Sequence, residues 1–123
     1  GQSFYRTWET KFRQTTPAAI EKEYQNFCSW LGRALRDGNT VETAALVEKR
    51  LDTEIHPFAD GCGRTAKLLA AFILLRAGLW PAAYPAREEY YVRATRNDKE
   101  WIACYHSYVD RGNNIQGPRE VSS

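Results

Sequence analysis

The stretch His56-Pro57-Phe58-Ala59-Asp60-Gly61-Cys62-Gly63-Arg64 gathers residue types that rarely share an ordinary connection. One of the chain's two histidines stands four residues before a carboxylate. A glycine-flanked cysteine and an arginine follow at once. Histidine is the side chain suited to take a proton at neutral pH. Glycines just ahead of a helix leave backbone N–H groups without partners, and they let a phosphate come close. Gly61, Cys62 and Gly63 therefore form a candidate phosphate cradle, and Arg64 adds a charged fork suited to phosphate oxygens. Lys67, one helical turn later, brings a second positive charge. Asp60 at the rim would repel a bare phosphate but suits a Mg²⁺ ion that bridges phosphates. The chemistry described is transfer of a phosphate-containing group from a Mg²⁺-nucleotide to a hydroxyl. His56 is the general base and Asp60 the metal ligand.

Four main helices must position these residues. Residues 17–37 carry Ile20, Tyr24, Phe27, Cys28, Leu31 and Leu35 at helical spacing, with Thr16 as N-cap and Gly38 as the stop. Residues 40–56 start at Asn39, whose spacing to Glu42 is that of a capping box. Pro57 disfavours helix at His56, so this helix delivers the histidine to the mouth of a loop. Residues 64–77 are apolar nearly all round after Lys67, the pattern of a helix at the centre of a bundle. Residues 98–111 place Trp101, Ile102, Tyr105, Tyr108 and Val109 on one stripe, and a shorter helix spans 87–94. Residues 2–15 are rich in aromatic and β-favouring types and predict a short hairpin or extended flap. Residues 113–123 read as a disordered tail. The expected fold is all-α, with one small β element, in a single domain over 1–112.

The bulk composition fits this reading. A chain of 123 residues suits one domain. With 17 basic against 15 acidic side chains, it lacks the charge of a dedicated nucleic-acid binder. Cys28, Cys62 and Cys104 form no CxxC pair and read as reduced thiols, which suits a cytoplasmic setting. Leu68 to Leu75, the most apolar stretch, is too short to span a bilayer. No signal peptide is visible.

The stretch HPFADGCGRTAK resembles the Fic (Fic/Doc) signature His-x-Phe-x-Asp/Glu-Gly-Asn-Gly-Arg-x-x-Arg. His56, Phe58, Asp60, Gly61, Gly63 and Arg64 match as they stand, and the order of elements agrees from Phe4 to Val109. The helices that usually precede the flap are not found, which suggests a minimal or truncated form. The resemblance implies a Fic fold and AMP transfer from ATP to a Ser, Thr or Tyr hydroxyl of a target protein. It implies that His56 deprotonates that hydroxyl and Phe58 anchors the loop. Asp60 would ligate Mg²⁺, and Gly61, Cys62, Gly63, Arg64 and Lys67 would hold the phosphates. The flap, with Tyr5, Arg6 and Trp8, would dock the target segment by strand-like pairing. The setting implied is a cytosol, the cell's own or that of a cell into which the protein is delivered.

Two positions depart from the signature. Cys62 replaces an asparagine, and a thiol is a poor hydrogen-bond partner, so nucleotide binding should be weaker or altered. On this reading, Cys62→Asn should tighten ATP binding several-fold. Lys67 replaces an arginine and loses its fork. Donors other than ATP, giving UMP or phosphocholine transfer, therefore stay open. Gly63 stands where the Doc branch has lysine, which argues against simple phosphorylation. The family's inhibitory segment Ser/Thr-x-x-x-Glu-Gly/Asn has no match, so restraint would come from a partner chain or from other sequence. Two further readings compete: a nucleotide- or protein-binding module without turnover, and a Cys-His hydrolase, for which no third orienting group is identifiable. His106 reads as a structural or surface residue. Tyr90 and Tyr91 read as core, with bordering of the nucleotide base as the alternative.

Overall fold

The computed structural model describes residues 5–8 and 14–116. A 3₁₀ turn, Pro17–Ala19, leads into α1 (Ile20–Asp37). Helix α2 (Thr40–Glu48) runs on without a break as a π-helical segment, Lys49–Ile55. Helices α3 (Cys62–Arg76), α4 (Arg87–Ala94) and α5 (Asp98–Gln116) complete the fold. Asn39 caps α2, its side-chain oxygen accepting from the Glu42 N–H at 3.1 Å, and Gly38 closes α1 through Ala34 O at 2.8 Å.

The centre of the bundle is α2, not α3. Thr43, Ala44, Ala45, Val47 and Glu48 are all buried, and α2 packs on α1, α3 and α5. Its two alanines let neighbouring helices approach closely. The apolar pattern of residues 64–77 predicts the central place for α3. That helix instead buries Ala66, Ala70, Ile73 and Leu74 and leaves Leu68 and Phe72 72% and 61% exposed. Along α1, Ile20 and Phe27 are buried, whereas Cys28 and Leu35 face out.

Helix α5 is pinned to α2 by Trp101, fully buried, whose Nε1–H donates to Ala45 O at 2.7 Å. Burying so large an aromatic stabilises by about 5 kcal/mol. The helix continues past the predicted end at 111, because Asn113 has work inside the fold. It accepts from the Trp80 N–H and donates to Trp80 O, fastening the segment between α3 and α4. Residues 113–116 are therefore helical, and the rest of the predicted tail lies outside the described residues.

No hairpin occurs among the described residues of the predicted flap. Tyr5 instead forms an isolated antiparallel bridge to Phe58, in the loop that follows His56. The Arg6 side chain explains the difference. It turns inward to serve carbonyls at the end of the π-helical segment, which draws this stretch onto the loop. Residues 9–13 lie outside the described residues. No described helix is long and apolar enough to cross a membrane.

Candidate active site

His56 sits where the π-helical segment ends. Its N–H donates to Leu51 O at 3.1 Å, five residues back, and its backbone turns left-handed at φ 43°, ψ 59°. That conformation costs a non-glycine residue roughly 1–2 kcal/mol, so something must hold it. Arg6 does. Its Nε donates to His56 O at 2.6 Å, and one Nη donates to Ile55 O at 3.0 Å. The guanidinium also donates to Trp8 O at 2.7 Å and to Thr15 O, while the Arg6 N–H donates to Pro57 O at 2.8 Å. A helix end leaves carbonyls without partners, and a buried guanidinium supplies several donors at once.

The imidazole has a defined tautomer. Nδ1 lies 2.7 Å from Asp52 O, and a carbonyl can only accept, so Nδ1 carries the hydrogen. In the neutral ring the free lone pair is then the one on Nε2. The side chain is 31% exposed, open enough for a hydroxyl to reach.

The loop after His56 is closed by sulfur. Cys62 Sγ accepts from the Phe58 N–H at 3.3 Å and donates to Phe58 O at 3.4 Å. The side chain is buried, and burial pushes its thiol pKa up, against a smaller downward effect of the Phe58 N–H. A neutral inward thiol is no nucleophile. Only its backbone N–H remains for a phosphate. Phe58 itself packs edge-on against Tyr24, 5.6 Å between ring centroids.

Helix α3 starts beside this loop. Gly61 adopts φ 82°, open to glycine at little cost, and Thr65 N–H makes the first intrahelical bond, to Gly61 O. The N–H groups of Cys62, Gly63 and Arg64 thus have no intrahelical acceptor. Asp60 and Arg64 are both exposed and lie 3.5 Å apart, a surface pair that contributes little to stability. Lys67 turns toward the aromatic wall. Its ammonium lies 4.2 Å from the Tyr90 ring centroid and 5.2 Å from that of Tyr84.

His56, Gly61, Cys62, Gly63, Arg64 and Asp60 thus share one loop and helix start. Arg6 is buried beneath it, Tyr5 borders it and packs on Tyr24, and Trp8 is half exposed. No group of three or more His, Cys, Asp or Glu side chains among the described residues could cage a metal. The single exposed carboxylate of Asp60 could supply at most one protein ligand to such an ion.

The Fic/DOC family profile matches residues 2–74, more than half of the chain. The chain belongs to the Fic/DOC family. It is 34% identical over 84 residues to the protein adenylyltransferase fic-1 of Caenorhabditis briggsae, covering 66% of this chain and 16% of that protein. It is 35% identical over 82 residues to a uridine 5′-monophosphate transferase of Xanthomonas campestris pv. campestris, covering 62% of this chain and 15% of the relative. The chain thus spans about one-sixth of the length of these curated relatives. The fold is similar to that of IbpAFic2 crystallised in complex with adenylylated Cdc42. The TM-score is 0.75 at 22% identity, over 90% of this chain and 41% of that one.

Arg6, read from the sequence as a docking residue, is buried and clamps His56 through its carbonyl. Two further residues near this Fic/DOC site escape the sequence reading. Asp52, four residues before His56, lies under the imidazole. Glu48 is wholly buried and accepts from the hydroxyls of Tyr84 and Tyr90, each at 2.8 Å. The i to i+4 spacing of Asp52 and His56 is the one sequence signal that could have found any of them.

Proposed function

We propose that this Fic/DOC domain transfers a nucleotide-derived group, AMP from ATP in the first instance, to a Ser, Thr or Tyr hydroxyl of a target protein. The observation that carries the reading is the orientation of His56: Nδ1–H donates to Asp52 O, so in the neutral ring Nε2 is the basic nitrogen, on a side chain 31% exposed. Nε2 takes the hydroxyl proton. The hydroxyl oxygen bonds to the α-phosphorus as the bond to the pyrophosphate leaving group breaks. The unpartnered N–H groups of Cys62, Gly63 and Arg64, with the Arg64 side chain, bind and orient the phosphates. Asp60 would be the protein ligand of a Mg²⁺ ion, whose contribution is to neutralise phosphate charge. Lys67 supports the site from the Tyr84–Tyr90 wall. Tyr5 and Trp8 border the face where a target segment would lie.

The relative named as a uridine 5′-monophosphate transferase supports testing UTP beside ATP. The test incubates the domain and candidate acceptor proteins with Mg²⁺ and, separately, ATP, UTP, GTP, CTP or CDP-choline. Intact mass is read beside a His56→Ala control. A donor-specific gain that needs His56 is expected. Transfer by His56→Ala at the wild-type rate would remove the base assignment. Nucleotide binding with no gain from any donor would favour a binding module.

A further inference from the structure

Asp52 is the least ordinary residue near the site. Its carboxylate is 2% exposed. Oδ1 lies 3.8 Å from His56 Nδ1, and no Lys or Arg nitrogen of the described residues pairs with it. Oδ2 is buried without a hydrogen-bond partner. A Cβ placed on Gly63 would lie 3.6 Å from both carboxylate oxygens and from the Tyr91 hydroxyl, so the carboxylate backs directly onto the first turn of α3. Burial, next the charge of Asp52 and then a hydrogen bond to its carboxylate push the Tyr91 hydroxyl up to about 12.

Scaffolding does not account for such a group. A desolvated carboxylate with one orphan oxygen weakens a fold, and an amide of the same shape would fill the space at lower cost. In the resting state the ring is already held by the Asp52 backbone carbonyl, which satisfies Nδ1–H. While the ring is neutral, the carboxylate faces no cation there. A cation forms beside it only when Nε2 takes a proton. An interaction that strengthens only as charge develops accelerates the chemical step rather than binding.

We infer that Asp52 is a positioning residue for His56, its buried carboxylate stabilising the imidazolium that forms as Nε2 takes the acceptor's proton. This rests on the proposed role of His56 as base. Arg6, bonded to the His56 carbonyl, and Asp60 and Arg64, paired with each other, are the other charged side chains around the loop, beside the α3 N-terminus.

Asp52→Asn tests the inference through three readouts. In the transfer assay kcat should fall about 10- to 100-fold, with KM for nucleotide within about twofold of wild type. The melting temperature should stay level or rise, where loss of a scaffold residue would lower it. Acylation of His56 by diethyl pyrocarbonate at pH 8, read by peptide mass with exposed His106 as internal reference, should slow several-fold. Unchanged kcat overturns the inference, as does a variant that melts well below wild type. If the wild-type domain transfers nothing, the function reading fails on its own. The acylation readout still decides: His56 reacting in Asp52→Asn as fast as in wild type overturns the role of Asp52.

Discussion

Arg6 Nε donates to the backbone carbonyl of His56 at 2.6 Å, joining the first described residues of the chain to the residue proposed as the base. The same guanidinium reaches Ile55, Trp8 and Thr15 carbonyls. It thereby ends a helix, braces a left-handed histidine and ties down the segment before α1. Its role follows from geometry rather than from charge alone.

Arg6→Ala would strip these carbonyls of their donor and empty a buried site. Hydrogen bonds to charged groups are worth roughly 1.5–3 kcal/mol each but are not additive. A loss of about 3–5 kcal/mol is expected, measured by urea unfolding. Arg6→Lys keeps the charge but not the fork and should fall between. A loss under about 1 kcal/mol in the alanine variant would mean that the carbonyls find other partners.

Much of this was legible in the sequence. The starts and ends of helices carry local signals: Asn39, Gly38 and Pro57 mark boundaries found in place. The loop from His56 to Arg64 is continuous, so its residues meet whatever the rest of the fold does. The remainder depends on contacts far apart in the chain. Arg6 meets His56 across fifty positions, and nothing near Arg6 shows that its side chain turns inward. Apolar pattern alone could not rank α2 against α3. The pattern reports which residues shun water, whereas the small side chains of Ala44 and Ala45 decide which helix neighbours can surround. Helix α5 outruns its predicted end because Asn113, polar in sequence, has partners in Trp80.

Cys62 illustrates the difference between a position in a motif and a side chain in a site. Its sulfur faces Phe58, not a bound phosphate. Cys62→Ser can keep both contacts, so nucleotide affinity should stay within about threefold of wild type by calorimetry. Cys62→Asn forces a larger group into a buried slot and should cost about 1–3 kcal/mol of stability. A several-fold gain in ATP affinity in Cys62→Asn would show that this side chain can turn outward. Alkylation should follow exposure and thiolate character: Cys28 reacts first, and Cys62 reacts only on unfolding.

Gly112 marks the tightest backbone approach among the described glycines. A Cβ there would fall 2.2 Å from Pro81 O and 3.1 Å from Ala83 N. The same contact is sealed by Ala83 N–H donating to Tyr108 O at 2.9 Å. Gly112→Ala must push α5 away from the segment leading to α4, against the backbone rather than a flexible side chain. A destabilisation of about 3 kcal/mol is expected despite the better helix propensity of alanine. Gly32→Ala, in α1, meets only the tip of Arg36 and serves as the control: it should leave stability equal or slightly higher. Equal melting of the two variants would show that α5 shifts at no cost.

Glu48 gives the fold a pH dependence whose sign can be worked out. The carboxyl is buried between Tyr84 and Tyr90. Burial raises its pKa above the ordinary 4.5, opposed by tyrosine hydroxyls and by the charge of Lys67. A carboxyl whose folded pKa is raised favours the folded state while protonated. That contribution is fully present below the unfolded pKa and is lost as pH climbs from there through the folded value. Glu48→Gln cannot ionise and lacks this loss. Whatever the offset between the two proteins at pH 4, the difference in unfolding free energy should move in favour of Gln as pH rises toward 8. Urea midpoints at pH 4, 6 and 8 measure it. A difference that stays flat, or moves toward the wild type, would mean that Lys67 and the hydroxyls outweigh burial. The fold would then not raise the Glu48 carboxyl above its ordinary range.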